Sequence, residues 1–286
     1  MIRCIGIDPA PSKDTVVCEA LESGDFVFTA WKPYEVRSRV QTLLGEAAGK
    51  GVPLVVTWDA PLGLDPGALP GTRNYASRRI DSAVTGWVKH LVKPSLTQPV
   101  AAGAVGVANA SSCPHNLLTQ HVWGLPVGEV PAHGARLLQP GEAASQPSPP
   151  CVLAEVHPAV AVAAWWLEQA TIERPMPRYK PGGTANVEAA REGLVHVAKF
   201  LQTRFGDAFP FDAILSSKGA GGSDDRLDAW IAWRLAFDWT RGDARAVGPA
   251  HGGSYLLPNS VLRERLSTYL SKRKNAAHEP EWGDES

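Results

Sequence analysis

Residues 2–31, IRCIGIDPAPSKDTVVCEALESGDFVFTAW, and residues 52–59, VPLVVTWD, are the stretches whose reading decides the fold. Ile2 to Asp8 is a short apolar run that stops at a Pro/Ser turn. Thr15 to Leu21 and Phe26 to Trp31 are rich in β-branched and aromatic residues, and Ser23-Gly24-Asp25 between them reads as a hairpin turn. Glu35 to Ala48 then places Val36, Val40, Leu43, Leu44 and Ala47 at helical spacing and closes on Gly49 and Gly51. Val52 to Asp59 is another apolar strand. A β-β-β-α-β order, with the last strand joining the sheet through a helical crossover, is how a ribonuclease-H-like fold begins. Two of these strands end at an aspartate.

Further along, the pattern weakens and then recovers. Asn74 to Lys93 carries Ile80, Val84, Trp87, Val88 and Leu91 on one apolar face and predicts a helix. Residues 94–112 have no clear period, and Leu137 to Pro150 is Pro/Ser/Gln-rich, as in a loop. Cys151 to His157 reads as a strand, and Ala159 to Gln169, Asn186 to Phe205, Ser223 to Trp239 and Leu262 to Leu270 read as helices. The expected architecture is α/β: a ribonuclease-H-like mixed sheet with a β-β-β-α-β-α-β-α core. A single domain over residues 1–273 would carry an elaboration at about 60–150, and residues 274–286 would form a polar tail.

Composition narrows the class. Apolar residues make up 44% and charged residues 20% of 286, which suits a folded protein with a sizeable core. The ten tryptophans are expected in core or cleft. Lys+Arg 28 against Asp+Glu 29 gives no basic excess of the kind that dedicated duplex binders use. Local basic groups remain at Arg73, Arg78, Arg79, Lys89 and Lys93, and at Lys272 to Lys274. Cys4, Cys18, Cys113 and Cys151 form no C-x-x-C, which predicts buried free thiols, a reducing compartment and no zinc site. No run approaches the ~20 apolar residues of a membrane span, and the chain starts on a strand without a secretory pattern, so a cytoplasmic protein is expected.

The acidic residues are the candidates for chemistry. Asp8 ends the first strand in G-I-D-P-A, at the sheet edge where α/β proteins place ligands, although strand-ending aspartates also cap turns. Asp59 ends the fourth strand in T-W-D-A-P-L-G-L, so it projects beside Asp8 if the two strands are neighbours. In Ser223-Asp224-Asp225-Arg226-Leu227-Asp228, Ser223 or Asp224 can cap the helix. Asp225 and Asp228 are three apart on one face, and Asp228 lies among Leu227, Trp230 and Ile231, where a carboxylate requires a metal or a donor. Glu155, with His157 at strand period from it, is a further ligand or base, or half of a structural ion pair.

Oxygen donors of this kind suit Mg²⁺ or Mn²⁺. Two ions about 4 Å apart would activate a water and stabilise the leaving oxygen of a phosphodiester. Arg73, Arg78, Arg79 and His157 are candidates for holding its phosphate or backbone. Cys113 and His115 alone do not make a metal site. Lys180, ahead of Pro181-Gly182-Gly183, matches neither a P-loop nor a dinucleotide fingerprint.

With these residues in view, the chain resembles the DUF429 family, whose members are regarded as ribonuclease-H-like predicted nucleases. The resemblance rests on G-I-D at Gly6–Asp8, D-x-P-x-G-L at Asp59–Leu64, E-V-H-P at Glu155–Pro158 and D-D-x-L-D-A at Asp224–Ala229. Holliday-junction resolvases of the same superfold are similar more distantly, with G-I-D-P at the start and D-x-x-D-A on the last helix. Asp59 stands where those resolvases have a glutamate. The resemblance implies a metal-dependent nuclease acting on DNA or RNA, with Asp8, Asp59, Glu155, Asp225 and Asp228 in the site and, in the part that holds Ser112 to Asn116 and Gln120, a loop reaching towards it. A non-catalytic metal- or partner-binding module is the alternative. An ATP-dependent phosphotransferase of the same superfold is disfavoured by Pro9-Ala10-Pro11-Ser12, a poor phosphate loop.

Overall fold

A computed structural model describes residues 2–63, 80–81, 83–84, 114–125, 131–142, 151–169, 174–180, 187–248 and 254–272. The chain runs β1 (Arg3–Asp8), β2 (Thr15–Ala20), β3 (Phe26–Trp31), α1 (Val36–Lys50) and β4 (Leu54–Trp58). It continues through α2 (Pro114–Trp123), β5 (Arg136–Leu137), β6 (Cys151–Glu155), α3 (Pro158–Leu167) and α4 (Val187–Phe205). It ends with α5 (Phe211–Leu215), α6 (Ser223–Thr240), a hairpin of β7 (Ala244–Val247) and β8 (Tyr255–Pro258), and α7 (Val261–Lys272).

The six-stranded sheet is mixed, in the order β3-β2-β1-β4-β6-β5. β1, β2 and β3 form an antiparallel meander, whereas β1, β4, β6 and β5 run parallel. The parallel pairing of β1 with β4 requires a crossover, and α1 supplies it. Gly51 ends that helix in the left-handed conformation at φ 62°, which glycine adopts without steric cost. The central strands are buried on both faces and read as nearly continuous apolar runs rather than alternating ones.

The two faces are covered differently. Ile5, Ile7, Leu54, Val56 and Trp58 pack with α1 and α2 in one apolar layer. Cys4, Val55, Val152 and Ala154 pack with α3, α4, α6 and the hairpin in the other. Helix α6 is buried almost all round, from Asp225 to Trp239, as expected of a helix enclosed by protein. Trp230 lies within ring contact of Phe26, Phe205 and Phe209, joining β3 and α4 to α6. Every described tryptophan is buried, in line with the composition.

Several sequence expectations shift by one or two residues. β4 ends at Trp58 and β6 at Glu155, so Asp59 and His157 lie just beyond their strands. Arg136–Leu137 pairs with β6, where a loop is expected from Leu137 onward. The hairpin β7–β8 and the five-residue helix α5 have no counterpart in the sequence reading, because their runs are too short to show a period, and the helix α2 stands where the family resemblance implies a loop through Asn116 and Gln120. The helix expected over 74–93 lies mostly outside the described residues, though Ile80, Asp81, Ala83 and Val84 are helical and buried. Cys4, Cys18 and Cys151 are free and buried, and Cys113 lies outside the described residues. Among the described residues, no helix is long and apolar enough to cross a membrane.

Candidate metal centre

The site begins with Gly6. A Cβ there would lie 2.1 Å from the Ala229 carbonyl oxygen and 2.2 Å from the Trp233 amide nitrogen, so α6 presses its backbone directly onto β1. From that contact the geometry propagates. Two residues along β1 cover about 6.6 Å, which on the helix corresponds to about four residues. Asp8 therefore arrives opposite the first turns of α6, where Asp225 and Asp228 stand. Asp8 and Gly6 share a face at strand period, so the carboxylate of Asp8 is directed towards α6.

Asp59 joins from the neighbouring strand. Its N–H donates to the Ile7 carbonyl at 3.1 Å, which extends the β1–β4 ladder by one residue beyond Trp58. Asp8, Asp59 and Asp228 each offer a carboxylate oxygen, and the three oxygens lie within 4.8 Å of one another. Asp8 is 8% exposed and Asp228 is fully buried. Three acids converge at the carboxyl end of two adjacent parallel strands, the usual ligand position of an α/β sheet.

Lys180 and Tyr179 complete the cluster. The Lys180 ammonium is ion-paired with Asp228 Oδ2 and lies 3.8 Å from Asp59 Oδ2. The Tyr179 hydroxyl donates to Asp228 Oδ1 at 2.7 Å from a buried position. Burial pushes all three carboxyls above their ordinary range, Asp8 well above it and Asp59 to about 7. Lys180 opposes that rise, whereas mutual repulsion among the acids reinforces it. Burial acts to lower the Lys180 ammonium, but Asp228, Asp59 and Asp8 outweigh it and hold its pKa well above the ordinary value.

The other candidates are placed elsewhere. Asp225 is not among the three clustered oxygens. Its Oδ1 accepts from Lys13 Nζ at 2.5 Å and its Oδ2 from the Gly222 N–H at 3.0 Å, so from the first turn it satisfies the N-cap N–H of α6. The capping role expected of Asp224 or Ser223 thus belongs to Asp225, because α6 is capped from Gly222. Glu155 is set apart by register. It pairs with Trp58, whose side chain faces the α1 layer, while Asp59 faces α6. Glu155 Oε2 accepts the Leu62 N–H at 2.8 Å, and its charge reaches Asp59 only as an electrostatic contribution.

His157 does not share a face with Glu155. The strand has ended, His157 caps α3, and its ring lies edge-on to Tyr255 at 5.5 Å in the opposite layer. The Tyr255 hydroxyl in turn donates to buried Asp81. Arg73, Arg78, Arg79 and the loop through Ser112 and Cys113 lie outside the described residues.

Tyr179, Lys13 and Arg226 carry no motif that marks them for the site, and Lys180 matches no phosphate loop in sequence. No periodic signal marks them. Arg226 is the one that a rule could have found: a guanidinium next to Leu227 at the start of an apolar helix must find acceptors once buried. It donates to the carbonyls of Ile214, Ser216, Ala220 and Gly221, fastening residues 214–221 to the start of α6.

Fold and cluster together define a mixed α/β protein whose buried aspartates could hold a metal ion. The model of the family described as "Protein of unknown function (DUF429)" matches residues 6–251, and the chain belongs to that family. No curated protein and no solved structure matches the chain.

Proposed function

We propose that this protein is a Mg²⁺- or Mn²⁺-dependent nuclease that hydrolyses phosphodiester bonds in DNA or RNA on a ribonuclease-H-like fold. The observation that carries the reading is the convergence of Asp8, Asp59 and Asp228 oxygens within 4.8 Å. Three hard oxygen donors suit Mg²⁺ or Mn²⁺; ligands held at ~2.1 Å lie at most ~4.2 Å apart, so the carboxylates would draw in around the ion. The strand order β3-β2-β1-β4-β6, with an antiparallel meander leading into parallel strands, agrees with a ribonuclease-H-like sheet.

In this reading Asp8, Asp59 and Asp228 hold the cation, and the donor set present accounts for one ion. When bound, the cation polarises a phosphoryl oxygen and lowers the pKa of water. Tyr179 fixes the rotation of the Asp228 carboxylate through the bond to Oδ1. Burial of the cluster raises the strength of every charge interaction within it. The loop after β1, with Pro9, Ala10 and Pro11, has no glycine to cradle a nucleotide phosphate, which weighs against a phosphotransferase.

The test is divalent-dependent cleavage of a panel of branched, single-stranded and hybrid nucleic acids. Asp8→Asn and Asp228→Asn should each reduce cleavage at least a hundredfold while the protein stays folded. Cleavage that survives both substitutions would falsify the assignment. The ion pair between Lys180 and Asp228 favours a second reading, a non-catalytic module whose charges are balanced internally. That reading is preferred if the folded protein takes up no Mn²⁺.

A further inference from the structure

The ammonium of Lys180 occupies a place that the proposed cation needs. It is paired with Asp228 Oδ2 and sits 3.8 Å from Asp59 Oδ2, and the Asp8 charge acts on it as well. The acids around it are the three whose oxygens cluster. A divalent ion bound by the same oxygens at ~2.1 Å would collide with the ammonium and repel it. Only one of the two cations fits at a time.

The two neighbours in sequence are built differently. Tyr179 is 2% exposed and anchored by its hydroxyl to Asp228 Oδ1. The Lys180 side chain is 45% exposed, so part of it faces solvent although its ammonium is paired with Asp228. Withdrawal of the lysine therefore needs only rotation about its own side-chain bonds. The tyrosine holds the backbone and the Asp228 orientation in place meanwhile. Lysine suits this role because a flexible four-carbon stem carries a compact charge.

We propose that Lys180 is a built-in competitor for the metal: it holds the empty acid cluster together and must swing out before a divalent cation enters. This inference rests on the metal-binding reading above. A site closed by its own lysine nine-tenths of the time shows a tenfold higher apparent Kd, because only the open fraction binds. The device sets a threshold of metal concentration below which the centre stays shut.

The experiment titrates Mn²⁺ into the full-length protein by calorimetry and by loss of the free-ion paramagnetic resonance signal. Lys180→Ala and Lys180→Gln should each bind Mn²⁺ about tenfold tighter than the wild type, with the gain absent in Asp8→Asn backgrounds. A second measurement uses the unmodified protein, so it does not depend on either variant folding. Reductive methylation of Lys180, read by peptide mass spectrometry, should accelerate several-fold when Mn²⁺ is added. If the wild type binds Mn²⁺ through Asp8 but the variants bind it no tighter, and methylation is insensitive to Mn²⁺, the competitor role is overturned and the metal site stands. If neither wild type nor variants bind Mn²⁺, both fall.

Discussion

Substitution of Gly6 by alanine tests the contact on which the site depends. The added methyl would lie 2.1 Å from the Ala229 carbonyl oxygen and 2.2 Å from the Trp233 nitrogen, both backbone atoms of α6, and real contacts do not fall below 3.0 Å. Neither neighbour is a flexible side-chain end, so the helix must retreat from β1 by roughly 1 Å, which exceeds the ~0.5 Å within which a functional constellation tolerates displacement. Overpacking a core costs about 1–3 kcal/mol, and a clash with main chain belongs at or above the upper end. Gly6→Ala should therefore lose about 3 kcal/mol or more. With a urea m-value near 3 kcal/mol/M, the midpoint falls by about 1 M. Asp228 moves with α6 away from Asp8, so Mn²⁺ affinity should drop at least tenfold.

Gly45→Ala is the matched control. Gly45 lies within α1, and a Cβ there meets nothing within 4 Å, so the same chemical change should stabilise by about 0.5–1 kcal/mol. Equilibrium urea denaturation of both variants and a Mn²⁺ titration decide the matter. A Gly6→Ala protein with wild-type midpoint and affinity would show that α6 does not rest on β1 as described.

Two further outcomes follow from the site and its supports. Burial holds the Asp59 carboxyl at about 7 against an ordinary 3.8. The folded state therefore binds the proton more tightly than the unfolded state, and this stabilisation, complete below pH 3.8, is lost as pH rises through 7. Metal-free protein should thus be about 2–3 kcal/mol less stable at pH 8 than at pH 5 from this group alone. Mn²⁺ affinity should climb over the same interval, and a pH-independent denaturation midpoint in chelator would contradict the burial argument. Arg226→Met removes the donors to four carbonyls in residues 214–221 and should cost about 3 kcal/mol. It should also speed proteolytic nicking near Ser216 to Gly221, and unchanged cleavage there would exclude the fastening role.

The strands β1 to β4, the crossover α1 and the long helices α4 and α6 were legible in the sequence, because their apolar periods span many residues and need no distant partner to be read. Asp8, Asp59 and Asp228 were legible as candidates for the same reason: each ends a strand or interrupts an apolar helical face. What a one-dimensional period cannot carry is how two elements sit against each other. The register of β4 on β6 pairs Glu155 with Trp58 and so turns it towards Leu62, away from Asp59. The docking of α6 on Gly6 selects Asp228 for the cluster and leaves Asp225 to Lys13 and the helix cap. Tyr179 and Lys180 enter from a segment with no period at all, 48 or more positions before Asp228. Sequence alone determined which acids were available. Only the packing of strand, helix and loop decided which three converge and that a lysine stands among them, because electrostatic convergence depends on distances between segments that local patterns do not encode.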